Sequence, residues 1–362
     1  MEVFYTSPWV PPEWIKAHGL EPRGIWLASD FACEPLPLAA GVCAFANAAV
    51  RLAERQAASA VIFTTHCDQL RRGFDTVAGA AAPRVFLFNL PVTWQTPVAE
   101  QIYADELKRL GRFLVGLGGH VPVVTVLVEI IRQYSRARQR LLEAACWCPA
   151  RAYAEAVARF HLDGSVTLPP ECGCPQPQQV GQQQGAHTPP RAVLSAAAVV
   201  GARRAPGTRG IPLALIGGPL PQSQMPLLDA IEKAGGRVAL NATEAGERSL
   251  WVTSPLDDAQ LGTKECSVNA PLQALLARGC LANCVDVFQR PNTRLYDWLL
   301  ERLRTRQVRG IVLWHYVGCD LWRAEAQLMR EAFGLPVLLL EADEVAPNRN
   351  TDRLEAFLES LR

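Results

Sequence analysis

Two segments in opposite halves of the chain share one plan. Residues 60–77 read AVIFTTHCDQLRRGFDTV, and residues 311–343 read IVLWHYVGCDLWRAEAQLMREAFGLPVLLLEAD. Each is an apolar run that reaches a histidine, then a Cys-Asp pair, then an amphipathic helix pattern with no spacer. A continuous apolar run marks a strand buried on both faces, as parallel sheets require. Parallel neighbours are joined by a crossover, usually a helix, and the crossover is right-handed. The repeated unit therefore confines each half of the chain to a sheet assembled from βαβ turns.

The flanking sequence continues both patterns. RVFLFNLP (84–91) supplies the next strand of the first half. IPLALIGG (211–218) is a strand entering a glycine turn, QMPLLDAIEKAGG (224–236) a helix with a glycine stop, and RVALN (237–241) another strand. Strand 308–314, helix 321–332, Gly334 as C-cap, strand 337–343 and the amphipathic helix 351–362 complete the C-terminal part. In between, 98–119 carries Ile102, Leu107, Leu110 and Leu114 near helical spacing, and 123–148 reads as a longer helix. Residues 168–190, rich in Pro and Gln, read as a loop or linker. The expected fold class is α/β: two doubly wound, Rossmann-like parallel-sheet domains (1–98 and 206–362), with a helical segment and Pro/Gln-rich linker (99–205) between them.

Composition narrows the function. The length of 362 residues exceeds one ordinary core, and 49% hydrophobic with 20% charged residues suits a globular chain. A net charge of +1 gives no electrostatic footprint for nucleic acid. The N-terminus lacks a basic segment followed by an apolar core, and the longest apolar runs are too short to span a bilayer. These features predict a cytoplasmic protein with neither a membrane nor a nucleic-acid partner.

Eleven cysteines then need a role, because cytoplasmic chains rarely use disulfides. Metal or redox chemistry is one reading, and small buried packing residues the other. No C-x₂-C knuckle and no ferredoxin C-x₂-C-x₂-C run occurs, so ligands would come from distant positions. Cys67 and Cys319 follow apolar runs and open helices, where ligands of parallel sheets collect and where the helix dipole favours a thiolate. Cys43 heads a further helix pattern, Cys280 and Cys284 lie one helical turn apart, and Cys33 sits in a Pro-rich loop. His66 and His315, at the ends of the runs, are candidate catalytic donors to a metal-bound sulfur or a substrate carbonyl, or simply packing residues. Neither a phosphate loop nor a G-x-S-x-G elbow is present, so any ATP chemistry must come from another protein.

With these residues laid out, the chain resembles the 2-hydroxyacyl-CoA dehydratase and benzoyl-CoA reductase family, which includes the double-cubane cluster proteins. The likeness rests on VPPEWIKAHGLEPRGIW (10–26), VCAFANAAV (42–50), TTHCDQLRRGFD (64–75), 211–238, RPNTRLYDWLLERLRTRQVRGIVLWHYVGCD (290–320) and 334–361, nearly the whole chain except about 145–205. The resemblance implies an anaerobic iron–sulfur protein in which Cys43, Cys67 and Cys319 ligate a 4Fe–4S cubane and leave one iron open. It also implies a separate ATP-hydrolysing iron–sulfur activator that donates a low-potential electron, and a homodimer or a heterodimer with a related subunit. In such proteins the electron drives dehydration of a 2-hydroxyacyl-CoA through a ketyl radical, ring reduction of an aryl-CoA, or small-molecule reduction at an 8Fe–9S double cubane. The last needs six thiolates, and adding Cys33, Cys280 and Cys284 reaches that count, which favours the double-cubane reductase. The competing readings are a single-cubane dehydratase or reductase subunit, a non-catalytic structural subunit, and a zinc or thiol-sensing protein. Cys146, Cys148, Cys172, Cys174 and Cys266 are assigned no role by the sequence or the resemblance.

Overall fold

Burial along the chain alternates between strand and helix as the repeated unit demands. The computed structural model describes residues 1–27, 42–55, 60–81, 84–170, 210–251, 270–342 and 347–362. Among them, β1 (Glu2–Tyr5), β2 (Glu21–Gly24), β3 (Ala60–Thr64) and β4 (Val85–Phe88) form one sheet in the order β2-β1-β3-β4. A second sheet, β6-β5-β7-β8, is built from β5 (Ile211–Gly217), β6 (Gly236–Ala242), β7 (Gly310–Tyr316) and β8 (Val337–Ala342). Every pairing in both sheets is parallel. The two orders are the same, so each sheet reverses its winding between its first and third strands. That switch point opens a crevice beyond the carboxyl ends of the strands, where doubly wound folds bind ligands. The α/β class and the paired parallel sheets agree with the sequence reading.

The central strands β3 and β7 are buried at every residue, which is why their sequences are unbroken apolar runs. Helices α1 (Pro12–Ala17), α2 (Ala44–Arg55) and α3 (Asp68–Ala81) accompany the first sheet. Helices α4 (Pro97–Gly116), α5 (Val124–Ala144) and α6 (Ala150–Asp163) follow it. With the second sheet come α7 (Pro226–Lys233), α8 (Ala270–Asn283), α9 (Thr293–Thr305), α10 (Asp320–Phe333) and α11 (Pro347–Ser360). One buried cluster runs through both sheets, taking Val3, Ile62 and Phe63 from the first and Leu215, Val312 and Trp314 from the second. Among the described residues, no helix is long and apolar enough to cross a membrane.

Three features add to the sequence reading or depart from it. β1 and β2 are four residues each, too short for a two-residue alternation to stand out, and β2 carries Pro22 and Arg23. Helix α6 lies inside the segment read as helical, beyond the two helices given individual ranges there. β7 continues through His315 to Tyr316, so His315 lies within the strand rather than at its corner. Cys33, Cys172, Cys174 and Cys266, and most of the Pro/Gln-rich segment, lie outside the described residues.

The switch point of the second sheet has a strict steric requirement. Gly217 ends β5 at φ +150°, and a Cβ there would stand 1.9 Å from the Trp314 carbonyl oxygen of β7. Neither strand can shift without breaking the β5–β7 register that pairs Gly217 with Trp314. Gly217→Ala is therefore expected to lower the urea midpoint, whereas Gly79→Ala, which meets nothing within 4 Å, should leave it unchanged or slightly raised.

Candidate functional site

Three cysteines stand at the first residue before a helix, and all three line one cavity. Cys43 precedes α2, Cys67 precedes α3 and Cys319 is the N-cap of α10. Their carbonyls accept the first helical hydrogen bonds, from Asn47 (2.9 Å), Arg71 (3.2 Å) and Arg323 (3.3 Å). Each side chain thus sits where free backbone N–H groups and the positive end of the helix dipole concentrate. Cys67 follows β3 and Cys319 follows β7, matching strands of the two sheets. The cavity has a volume of about 40 Å³, room for roughly three waters.

The loops that carry the cysteines are tied together by one amide. Gln69, in the first turn of α3, accepts from the Cys43 backbone N–H through Oε1 at 2.7 Å. Its Nε2 donates to the Gly318 carbonyl at 3.3 Å. Gly318 has φ +77°, a left-handed turn that brings the chain round to Cys319.

The far wall is a buried charge network. Arg248 donates to Asp286 Oδ2 (2.6 Å), to the Gly217 carbonyl (2.9 Å) and to the Ala242 carbonyl (3.0 Å). One guanidinium therefore joins the carboxyl ends of β5 and β6 to an aspartate that faces the cavity. Trp9, just beyond β1, donates its indole N–H to the same Asp286 oxygen at 3.4 Å. Glu244 also lines the cavity, 3.9 Å from Arg248. The Arg248 guanidinium lies 5.0 Å from the Trp322 ring, and Phe45, Leu70 and Leu321 close the apolar sides.

Desolvation outweighs the helix dipoles at the thiols. Burial pushes Cys43 up to about 11 and Cys67 up to about 12, although backbone N–H groups at Ala46, Phe45, Leu70 and Gln69 pull the other way. Cys319 is raised too, by burial first, with Asp286 and its own neighbour Asp320 adding to the effect. The expectation that a helix start alone would deliver a thiolate is thus corrected: in this cavity the thiols keep their protons unless a cation or metal replaces them. His66 lines the cavity with Nδ1 against Thr64 Oγ1 at 2.7 Å, and burial lowers it to about 4, so the ring is neutral.

The other candidates lie elsewhere. His315 is buried in β7, its Nδ1 3.0 Å from the Tyr316 carbonyl, and is not among the cavity walls. Successive strand residues point to opposite faces, so the side chain that reaches the cavity from this strand end is Tyr316. Cys280 and Cys284 face each other, Sγ to Sγ 3.3 Å, in a buried site where Cys280 also approaches the Trp9 carbonyl at 4.0 Å. They do not line the cavity. Cys146 is exposed and Cys148 half-buried, both just beyond α5. Among the described residues, no three His, Cys, Asp or Glu side chains form a group that could hold a single metal ion. Gln69, Glu244, Arg248 and Asp286 were not singled out in the sequence. Glu244 follows a strand of a parallel sheet, and that placement was the available signal.

The family model for the 2-hydroxyglutaryl-CoA dehydratase D-component matches residues 9–361. The chain belongs to this family. No curated protein matches it. The match takes in the whole second sheet, the first sheet except β1, and all three cavity cysteines of this D-component-type protein.

The carboxyl of Glu244 gives the site a measurable pH signature. Burial raises it from the ordinary 4.5 to about 8, against the opposing pull of Arg248. The folded state then binds a proton that the unfolded state has released, so stability falls as pH rises through that window. Glu244→Gln removes this loss. Urea midpoints should favour the variant increasingly between pH 4.5 and pH 8; a gap that is constant with pH would show that Glu244 titrates as an ordinary carboxyl.

Proposed function

We propose that this D-component-type protein is an iron–sulfur redox component of a 2-hydroxyacyl-CoA dehydratase or a related acyl-CoA reductase, with Cys43, Cys67 and Cys319 as thiolate ligands of one 4Fe–4S cubane. The observation that carries the reading is the meeting of three helix-start thiols at one cavity, at matching strand ends of two sheets. The donor set fits the group: iron–sulfur clusters are held by Cys thiolates. A cubane spreads its ligands over separate irons, so it does not need the close grouping of a single-ion site. When bound, such a cluster supplies a one-electron store and, with three protein ligands, an iron corner open to substrate.

The chain's own residues do the rest. Three helix N-termini aim N–H groups at an anionic group in the cavity. Neutral His66, held at Nδ1 by Thr64, has Nε2 left to hydrogen-bond a sulfur or a thioester carbonyl. The Arg248–Asp286 pair fixes the wall, and Phe45, Leu70 and Trp322 exclude water. The electron comes from a separate ATP-hydrolysing activator, as membership of the family implies, and the sequence accordingly carries no phosphate loop of its own. The assembly is a dimer, with a second copy or a related subunit.

A second reading keeps the 8Fe–9S double cubane, with Cys33, Cys280 and Cys284 as the further ligands. What favours it is the buried thiol pair Cys280–Cys284. The single cubane is preferred because that pair faces inward rather than toward the cavity.

Iron and acid-labile sulfide per chain, measured on anaerobic protein, separate these readings. Cys67→Ser and Cys319→Ser are each expected to abolish the charge-transfer absorption. Cys284→Ser should leave iron unchanged for one cubane and remove about half of it for two. A colourless, zinc-bearing preparation would overturn the assignment.

A further inference from the structure

The cavity cysteines belong to three loops that share no strand and no helix. Their spacing depends on whatever joins the loops. Among the described residues, Gln69 joins them by hydrogen bonds: it sits two positions after Cys67, accepts from the Cys43 N–H at 2.7 Å, and donates to the carbonyl next to Cys319 at 3.3 Å. The link to Gly318 also crosses from the first sheet's half of the chain to the second's, a separation of 249 residues. The partner atoms are backbone, so they cannot rotate away as a side chain would. The receiving loop is set by Gly318 at φ +77°, where a side chain would be strained.

We propose that Gln69 is the positioning residue of the three-cysteine site, holding Cys43, Cys67 and Cys319 within reach of one ligand group. It touches no reacting atom. It acts by fixing two loops to the first turn of α3, so that the site assembles from both halves of the chain at once. The amide is the group the geometry calls for, because it must accept on one side and donate on the other. Glutamate keeps the acceptor for the Cys43 N–H and, when ionised, has no donor for Gly318. The proposal deepens the cluster reading above, but it concerns thiol spacing and is testable without iron.

The test uses full-length, reduced, metal-free protein and dibromobimane, which becomes strongly fluorescent when it bridges two nearby thiols. Cys67 and Cys319 are both half-buried and open to the reagent, whereas Cys43 is buried. Because both thiols hold their protons in the cavity, bridging of Cys67 to Cys319, located by peptide mass spectrometry, is followed at mildly alkaline pH as a slow but measurable rate in the wild type. In Gln69→Ala it should slow by roughly five- to tenfold, the weight of one or two net hydrogen bonds. Gln69→Glu should slow it comparably, through loss of the Gly318 contact alone. Labelling of exposed Cys146 by a monofunctional reagent should be the same in all three proteins, and each should still unfold in one cooperative urea transition, at a modestly lower midpoint in the variants. Should one variant misfold, the other still reads the same contact. Unchanged Cys67–Cys319 bridging in a folded variant overturns the proposal. Iron loading is measured separately: normal thiol bridging with no iron bound would defeat the cluster reading and leave the clamp intact, while full iron loading with unaltered bridging in Gln69→Ala would defeat the clamp alone.

Discussion

Parallel pairing is the constraint on which everything else in this molecule depends. Because all strands of a sheet run the same way, every helix that directly follows a strand begins at the same edge of that sheet. The edge gathers unsatisfied N–H groups, the positive dipole ends and the crevice at the switch point. Cys67 and Cys319 occupy this edge in the two sheets by the same local rule: strand, short turn, N-cap. Cys43 reaches it differently, from a helix that precedes its strand. The cavity is thus a consequence of topology before it is one of particular side chains.

Two opposing electrostatic effects meet there, and their balance defines what the site can do. Helix starts favour anions by a fraction of a kcal/mol to about 2 kcal/mol each. Burial in an apolar pocket costs an isolated charge several kcal/mol. Burial wins at all three thiols. The neighbouring charges do not reverse that result, because Arg248 is already engaged by Asp286 and two carbonyls. A cavity of protonated thiols under three N-termini is poorly suited to nucleophilic catalysis by a free thiolate. It is well suited to a metal or cluster that displaces the protons, because the thiolates so formed then benefit from the same N–H groups.

The sequence made the sheets legible because β3 and β7 are buried on both faces and leave unbroken apolar runs. It made Cys43, Cys67 and Cys319 legible because a helix pattern starts immediately after each. The rest was hidden for definable reasons. β1 and β2 are too short to carry a pattern, and Pro22 interrupts one of them. Arg248 and Asp286 look like ordinary surface charges in a sequence; only the fold reveals that they are buried and paired. Arg138 is similar: it sits on α5 yet is buried against Glu13 and lies 4.0 Å from the Trp251 ring. His315 was misplaced by a strand end, since two further residues in β7 move the histidine off the corner. Gln69 was unreadable, because its role depends on backbone atoms far away in the chain.

The contrast between the two cysteine sets follows from the ends of helices they occupy. Cys43, Cys67 and Cys319 stand at N-termini, whereas Cys280 and Cys284 stand at the C-terminal end of α8. There the dipole is negative and opposes a thiolate. The pair is fully enclosed, and burial again raises Cys284 strongly. The two sulfurs can satisfy each other through an S–H contact and fill space as small apolar groups. Asp286 is only two residues beyond Cys284 yet faces the cavity, so the chain turns between them and separates the thiol pair from the cavity wall. Among the described residues, helix polarity therefore separates Cys43, Cys67 and Cys319 from Cys280 and Cys284, and only the N-terminal set combines convergent N–H groups, a shared cavity and a clamp that joins its loops.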